Sequence, residues 1–181
     1  MAAQPRLGPE DWLRAGLVAL ATSGPEALKA ESLARALGTT KGSFYWHFEN
    51  IDAFKSALSE FWLGRAETAL KEASETEATA AERLRNLSQS IGSTADEART
   101  EAAFRAWAQF FGSAAEALSR IDAARIVHIR AVLDALGLTN PEFARIVYGA
   151  HIGMLTLPGG DGANESARST LTAALLALQE G

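Results

Sequence analysis

Residues 40–47 read Thr-Lys-Gly-Ser-Phe-Tyr-Trp-His. Within that stretch Thr40, Lys41, Ser43, Tyr45, Trp46 and His47 crowd hydroxyl, ammonium, phenol, indole and imidazole groups together, and every one of them can donate a hydrogen bond. Such an array suits phosphate oxygens and the acceptor-rich edges of bases. The rest of the sequence offers no catalytic pattern. There is no Cys, which excludes a thiolate nucleophile, a disulfide framework and a zinc–thiolate site. Nothing resembles a nucleophile elbow, a phosphate loop or a His-Glu-x-x-His pair. His128 and His151, the histidines outside the stretch, have no ligand partner at i, i+4 spacing. A binding protein is expected, with no enzymatic activity, metal or cofactor.

The donors need a scaffold, and the flanking residues supply one. Phe44 and Phe48 lie four apart, on the helix face opposite the donors. Leu33 and Leu37 mark one face of a preceding short helix, and Gly38 supplies the bend between the two. A helix-turn-helix results, whose second helix has one apolar side and one donor-rich side, as a DNA major groove requires. An amphipathic helix over 9–23 precedes it, begun by Pro9 and ended at Gly24-Pro25. The shared core expected for the three is Leu13, Leu17, Leu20, Leu33, Leu37, Phe44 and Phe48.

Composition is compatible with this reading but sets limits on it. The chain has 181 residues, 48% hydrophobic, with a net charge of −5. Residues 1–55 hold six Lys/Arg and six Asp/Glu, so the whole −5 falls on the remainder. A neutral N-terminal segment attracts phosphate only modestly, so tight binding must rest on geometry, dimerisation and base contacts. Met1–Arg6 has no signal-peptide pattern, and no apolar run is long enough for a membrane span. A soluble cytoplasmic protein is expected.

The pattern is helical nearly throughout. Further helices are predicted over 51–73, 79–91, 98–112, 114–136, 141–157 and 165–179, giving an all-α chain of about nine helices. Gly137-Leu138-Thr139-Asn140-Pro141 is a stop and restart, with Gly137 as C′ residue, Asn140 as N-cap and Pro141 at N1. Residues 158–162, Pro-Gly-Gly-Asp-Gly, form another break. Two domains are expected: a three-helix helix-turn-helix domain over 1–50 and a helical bundle over 51–181.

Gly-Thr-Thr-Lys-Gly-Ser-Phe-Tyr-Trp-His-Phe-Glu-Asn, residues 38–50, resembles the signature of the tetracycline-repressor (TetR) family, and Leu33–Leu37 matches the first helix of its motif. The resemblance covers roughly residues 8–60. It implies an all-helical homodimer that binds operator DNA through its N-terminal domain and a small effector through the larger C-terminal one. By position, Thr40, Lys41, Gly42, Ser43, Tyr45, Trp46 and His47 fall where the family meets DNA. Gly42 allows close backbone approach. Ser43, Tyr45 and His47 would bond phosphates or base edges, and Lys41 would either read guanine or neutralise a phosphate. Lys29 is a further backbone contact. One position departs from the family: Ile51 stands where a phosphate-anchoring Lys is usual, with Lys55 one turn on.

The C-terminal segment holds two weaker patterns. Phe104, Trp107, Phe110 and Phe111, with Trp62 and His128, line either an apolar effector pocket or an ordinary bundle core. Asp122, Arg125 and Arg130, near His128, read as a mixed charged helix face. Gly149 and Gly153, with Ile146, Ala150 and Leu157, and the stripe containing Leu171, Ala174, Leu175 and Leu178, either pack within the chain or, as the resemblance implies, form a four-helix dimer interface. The expected function is a dimeric repressor of a palindromic operator, released by a small molecule. The alternatives are an all-helical small-molecule-binding protein or enzyme with a structural N-terminal domain, and a helix-turn-helix module that binds protein.

Overall fold

The computed structural model describes residues 7–75, 78–90, 94–158 and 162–179, with side chains at all but 87–90 and 179. Among these residues there are nine α-helices and no strand: α1 (Pro9–Ser23), α2 (Ala30–Ala36), α3 (Lys41–Tyr45), α4 (Ile51–Glu75), α5 (Ala80–Ser90), α6 (Ala95–Ala108), α7 (Gly112–Ala135), α8 (Pro141–Thr156) and α9 (Ala163–Gln179). A single 3₁₀ turn, Pro25–Ala27, links α1 to α2. The fold is all-α, as expected.

Local chemistry sets the helix ends. After α2, Gly38 has φ +64°, and the amides of Gly38 and Thr39 donate to the carbonyls of Arg35 (3.2 Å) and Ala34 (2.9 Å). This is a Schellman closure, in which a residue without Cβ takes the left-handed position at no steric cost. It recurs after α7, where Gly137 (φ +77°) and Leu138 donate to Asp134 and Leu133, both at 3.0 Å. Side chains cap the starts: Thr40 accepts from the Ser43 amide (3.3 Å), Asn50 from Ala53 (2.8 Å) and Asn140 from Glu142 (3.0 Å). Thr79 and Glu82 form a reciprocal capping box before α5, and the hydrogen bonds from Thr79 hold the Glu82 carboxyl below its usual pKa.

Two of the boundaries that differ from expectation bear on the candidate site residues. α3 stops at Tyr45 rather than at Phe48, because the amides of His47 and Phe48 both turn back to the Phe44 carbonyl at 3.0 Å. The break between α6 and α7 falls at 109–111 rather than at 113, leaving Phe110 and Phe111 between helices.

Packing divides the chain into two compact units, Met1–Gly64 with Ala103–Leu118 and Arg65–Ala102 with Ser119–Gly181. The first unit is centred on fully buried Phe44, whose ring lies 5.4 Å from Trp12, 5.2 Å from Phe48 and 5.3 Å from Phe54. Leu17, Leu20 and Leu33 are buried around it. Leu13 and Leu37 are only half-buried; Trp12, one position earlier, takes the inward place expected of Leu13. Ser113 donates to the buried Ser59 hydroxyl at 3.1 Å, and Trp62 stacks on Phe104. The second unit has its own core, formed by residues of α5, α7, α8 and α9 that include Leu84, Ile129, Leu133, Val147 and Leu175.

Candidate nucleic-acid interface

α3 and the turn after it separate donors from greasy rings. Phe44 and Phe48 are buried, while Thr40, Lys41, Gly42, Tyr45, Trp46 and His47 are exposed and Ser43 is half-buried. Trp46 is 88% exposed, the most solvated of the large apolar side chains described. Tyr45, 50% exposed, rests the edge of its ring against Phe44 at 5.3 Å and turns its remaining surface outward. The Thr40 oxygen accepts from Ser43 as the cap, which leaves its O–H available as a donor. A Cβ added at Gly42 would meet only the Thr40 hydroxyl, at 3.7 Å, so the backbone there is open to close approach. Seven sequence-predicted residues thus lie on one short, accessible segment.

The two flanking cations each have a carboxylate beside them. Lys29 is the exposed N-cap residue of α2, its ammonium 3.6 Å from Glu26. Lys55 on α4 is half-buried, its ammonium 3.8 Å from Asp52 and 5.7 Å from the centre of the Phe111 ring. Ile51, at the start of α4, is half-buried and supplies no charge in place of the missing lysine.

Four of the six candidate effector residues gather. Trp62, Phe104, Trp107 and Phe111 form one cluster in the first unit, with stacked pairs at 3.7 Å and 5.0 Å joined by an edge contact of 5.5 Å. Phe110 is 86% exposed and outside that cluster. His128 belongs to the second unit, where burial and Arg83 lower its pKa. Among the candidate dimer residues, Ile146, Gly149, Leu157, Ala174 and Leu178 are exposed and Ala150, Gly153 and Leu171 half-buried. Leu175 is committed to the chain's own core.

A buried polar cluster in the second unit escaped the sequence reading. Arg125 donates to both Glu101 oxygens (2.8 and 3.3 Å) and to the Tyr148 hydroxyl (3.3 Å), while Tyr148 donates to Asp122 (2.6 Å). Burial opposes the guanidinium charge, but Glu101 and Tyr148 outweigh it and raise the Arg125 pKa. On the same helix Arg130 pairs with Asp134 at 3.7 Å in the open, whereas Arg125 is buried. Helical spacing carried the signal: Arg125 lies four residues after Ile121 and four before Ile129, both buried. His151, 2% exposed, donates from Nδ1 to the Val147 carbonyl at 2.9 Å, leaving Nε2 without a partner among the described residues. No group of three potential metal ligands occurs among the described residues, and no described helix is long and apolar enough to cross a membrane.

Comparison with known proteins agrees with this arrangement. Residues 13–58 match the bacterial regulatory proteins of the tetR family. The whole fold resembles the crystal structure of a transcriptional regulator from Rhodococcus sp. Rha1 (22% identity, 96% of this chain and 95% of that one, TM-score 0.73). It also resembles a TetR transcription regulator from Haloarcula marismortui (17%, 94% and 96%, TM-score 0.76). A third similar structure is the transcriptional regulator FadR from Bacillus subtilis in complex with stearoyl-CoA (16%, 95% and 97%, TM-score 0.63). A search of curated protein sequences finds no match.

Proposed function

We propose that this chain, whose residues 13–58 match the bacterial regulatory proteins of the tetR family, is a transcriptional repressor that binds a palindromic operator as a homodimer and leaves it when a small molecule binds. The observation that carries this reading is the division of α3 and its following turn into a buried Phe44–Phe48 side and an exposed side of donors. Residues 1–50 supply the DNA-binding function, with Thr40, Lys41, Gly42, Ser43, Tyr45, Trp46 and His47 meeting the duplex and Lys29 and Lys55 at its margin. Residues 51–181 supply dimerisation and effector binding. Two recognition helices related by a two-fold axis enter successive major grooves about 34–36 Å apart.

The exposed strip of Ile146, Gly149, Leu157, Ala174 and Leu178 supports a self-complementary interface between copies. The effector shifts the equilibrium toward a dimer whose recognition helices are wrongly spaced, by no more than its differential affinity for the two states. A similar fold holds stearoyl-CoA, which supports a small-molecule site in the C-terminal segment. The protein works in the cytoplasm and catalyses no reaction.

Anisotropy titration of labelled duplexes from the DNA flanking its own gene tests the reading. Tyr45→Phe combined with His47→Ala removes two donors from the exposed side. Hydrogen bonds to charged groups contribute about 1.5–3 kcal/mol each, so affinity should fall roughly 100-fold or more. Helix content should stay at the wild-type value. Unchanged affinity would remove this face from the DNA contact.

A further inference from the structure

Lys41 differs electrostatically from the other described cations of residues 7–64. Each of the others is held by a carboxylate: Arg14 by Glu10 at 2.6 Å, Lys29 by Glu26 at 3.6 Å, Arg35 by Glu31 at 3.1 Å and Lys55 by Asp52 at 3.8 Å. Lys41 has no carboxylate within salt-bridge distance among the described residues. Its ammonium lies 5.9 Å from the centre of the Tyr45 ring, one turn along α3. The side chain therefore runs along the exposed side of the helix, beside the neutral donors. Among the described residues 7–64, Lys41 is thus the one Lys or Arg without a carboxylate beside it, and it stands on the recognition helix.

That placement decides between the two roles open to Lys41. The other four cations are held only weakly, in surface ion pairs, and remain able to meet phosphates. The early residues of a recognition helix meet base edges at the groove floor, whereas phosphates flank the groove. In the major groove, guanine alone pairs two acceptors, O6 and N7, and is the base that Lys commonly reads. We infer that Lys41 is a specificity-determining residue that reads a guanine in each half-site. This inference rests on the DNA-binding reading above. It adds that the protein discriminates through this ammonium.

The test uses the full-length protein and a pool of duplexes with a randomised central region. Wild-type protein and Lys41→Ala, an exposed substitution checked for unchanged helix content, each select binding sites from the pool. Wild-type sites should carry a fixed G·C pair at one position of each half-site. Sites chosen by Lys41→Ala should keep the other positions and be indifferent at that one, and Lys41→Arg should keep the guanine. On the wild-type site Lys41→Ala should lose roughly 5- to 150-fold in affinity, and much less on a site where that pair is replaced. If Lys41→Ala still selects the same guanine, binds all duplexes more weakly by one common factor and has a shallower salt dependence, Lys41 is a phosphate contact and the inference is overturned. A wild-type protein that enriches no duplex overturns the DNA-binding reading itself, and this assignment with it.

Discussion

Replacing Glu101 by Met removes the carboxylate that neutralises Arg125 inside the second unit. The two side chains are only 7% and 8% exposed, and the guanidinium makes two hydrogen bonds to the carboxylate. Arg125 cannot escape the loss by giving up its proton, because guanidinium stays charged at any pH the fold survives. The variant must bury a positive charge that keeps its bond to the Tyr148 hydroxyl, 3.3 Å away and itself bonded to Asp122, but has lost its bidentate carboxylate. Breaking such a pair costs about 3–5 kcal/mol. For a chain of this size that lowers the unfolding midpoint by about 6–20 °C. Thermal unfolding followed by circular dichroism at pH 7 gives the number. The double variant Glu101→Met/Arg125→Met takes out both charges and should recover most of the loss, since an apolar pair of similar volume replaces a buried ion pair at little net cost. A single variant within about 1 kcal/mol of wild type would show that the pair is solvated. A double variant no better than the single would show that shape, not charge, governs the site.

Three other outcomes are expected. Gly16→Ala should lower the unfolding midpoint, because its Cβ would sit 2.7 Å from the ring tip of buried Phe54, whereas Gly64→Ala meets nothing within 4 Å and should raise it by the usual helix gain of about 1 kcal/mol. The His151 pKa is lowered by burial and by Arg168, against a raising hydrogen bond to Val147. Its contribution is therefore complete above the unfolded value of about 6.5 and is lost as pH falls from there toward the depressed folded value, so wild-type midpoints should drop over that range and His151→Gln should flatten the drop. Leu178→Glu changes a side chain 61% exposed in the monomer, so sedimentation should report a folded monomer; an intact dimer would move the interface elsewhere.

The legible parts of this chain are those in which a few adjacent residues determine the conformation. Gly38 and Gly137 could be assigned as C′ residues, and Asn140-Pro141 as a helix start, because each acts on backbone groups within a turn of itself. The separation of Phe44 and Phe48 from the donors is legible from their four-residue spacing, which the turn after α3 preserves through the bond from the Phe48 amide to the Phe44 carbonyl. What the pattern missed depends on partners far along the chain. Arg125 is buried because Glu101, 24 residues earlier, meets it. Trp12 displaces Leu13 from the centre because it is Trp12 that reaches the Phe44 ring. An apolar stripe does not say which surface covers it: Leu175 is enclosed by its own chain while Leu178 on the same helix is not. The aromatic spacing of Phe104 to Phe111 likewise gave no sign that a helix break leaves Phe110 in solvent.

The chain has four tryptophans, and Trp12, Trp62 and Trp107 are buried. Trp46 therefore reports almost alone on the surface said to meet DNA. Iodide quenching of the free protein should reveal one accessible tryptophan, absent in Trp46→Phe, and a saturating duplex from the pool-selected sites should protect it. A complex that forms with Trp46 still fully open to iodide would mean that the duplex is held by some other surface.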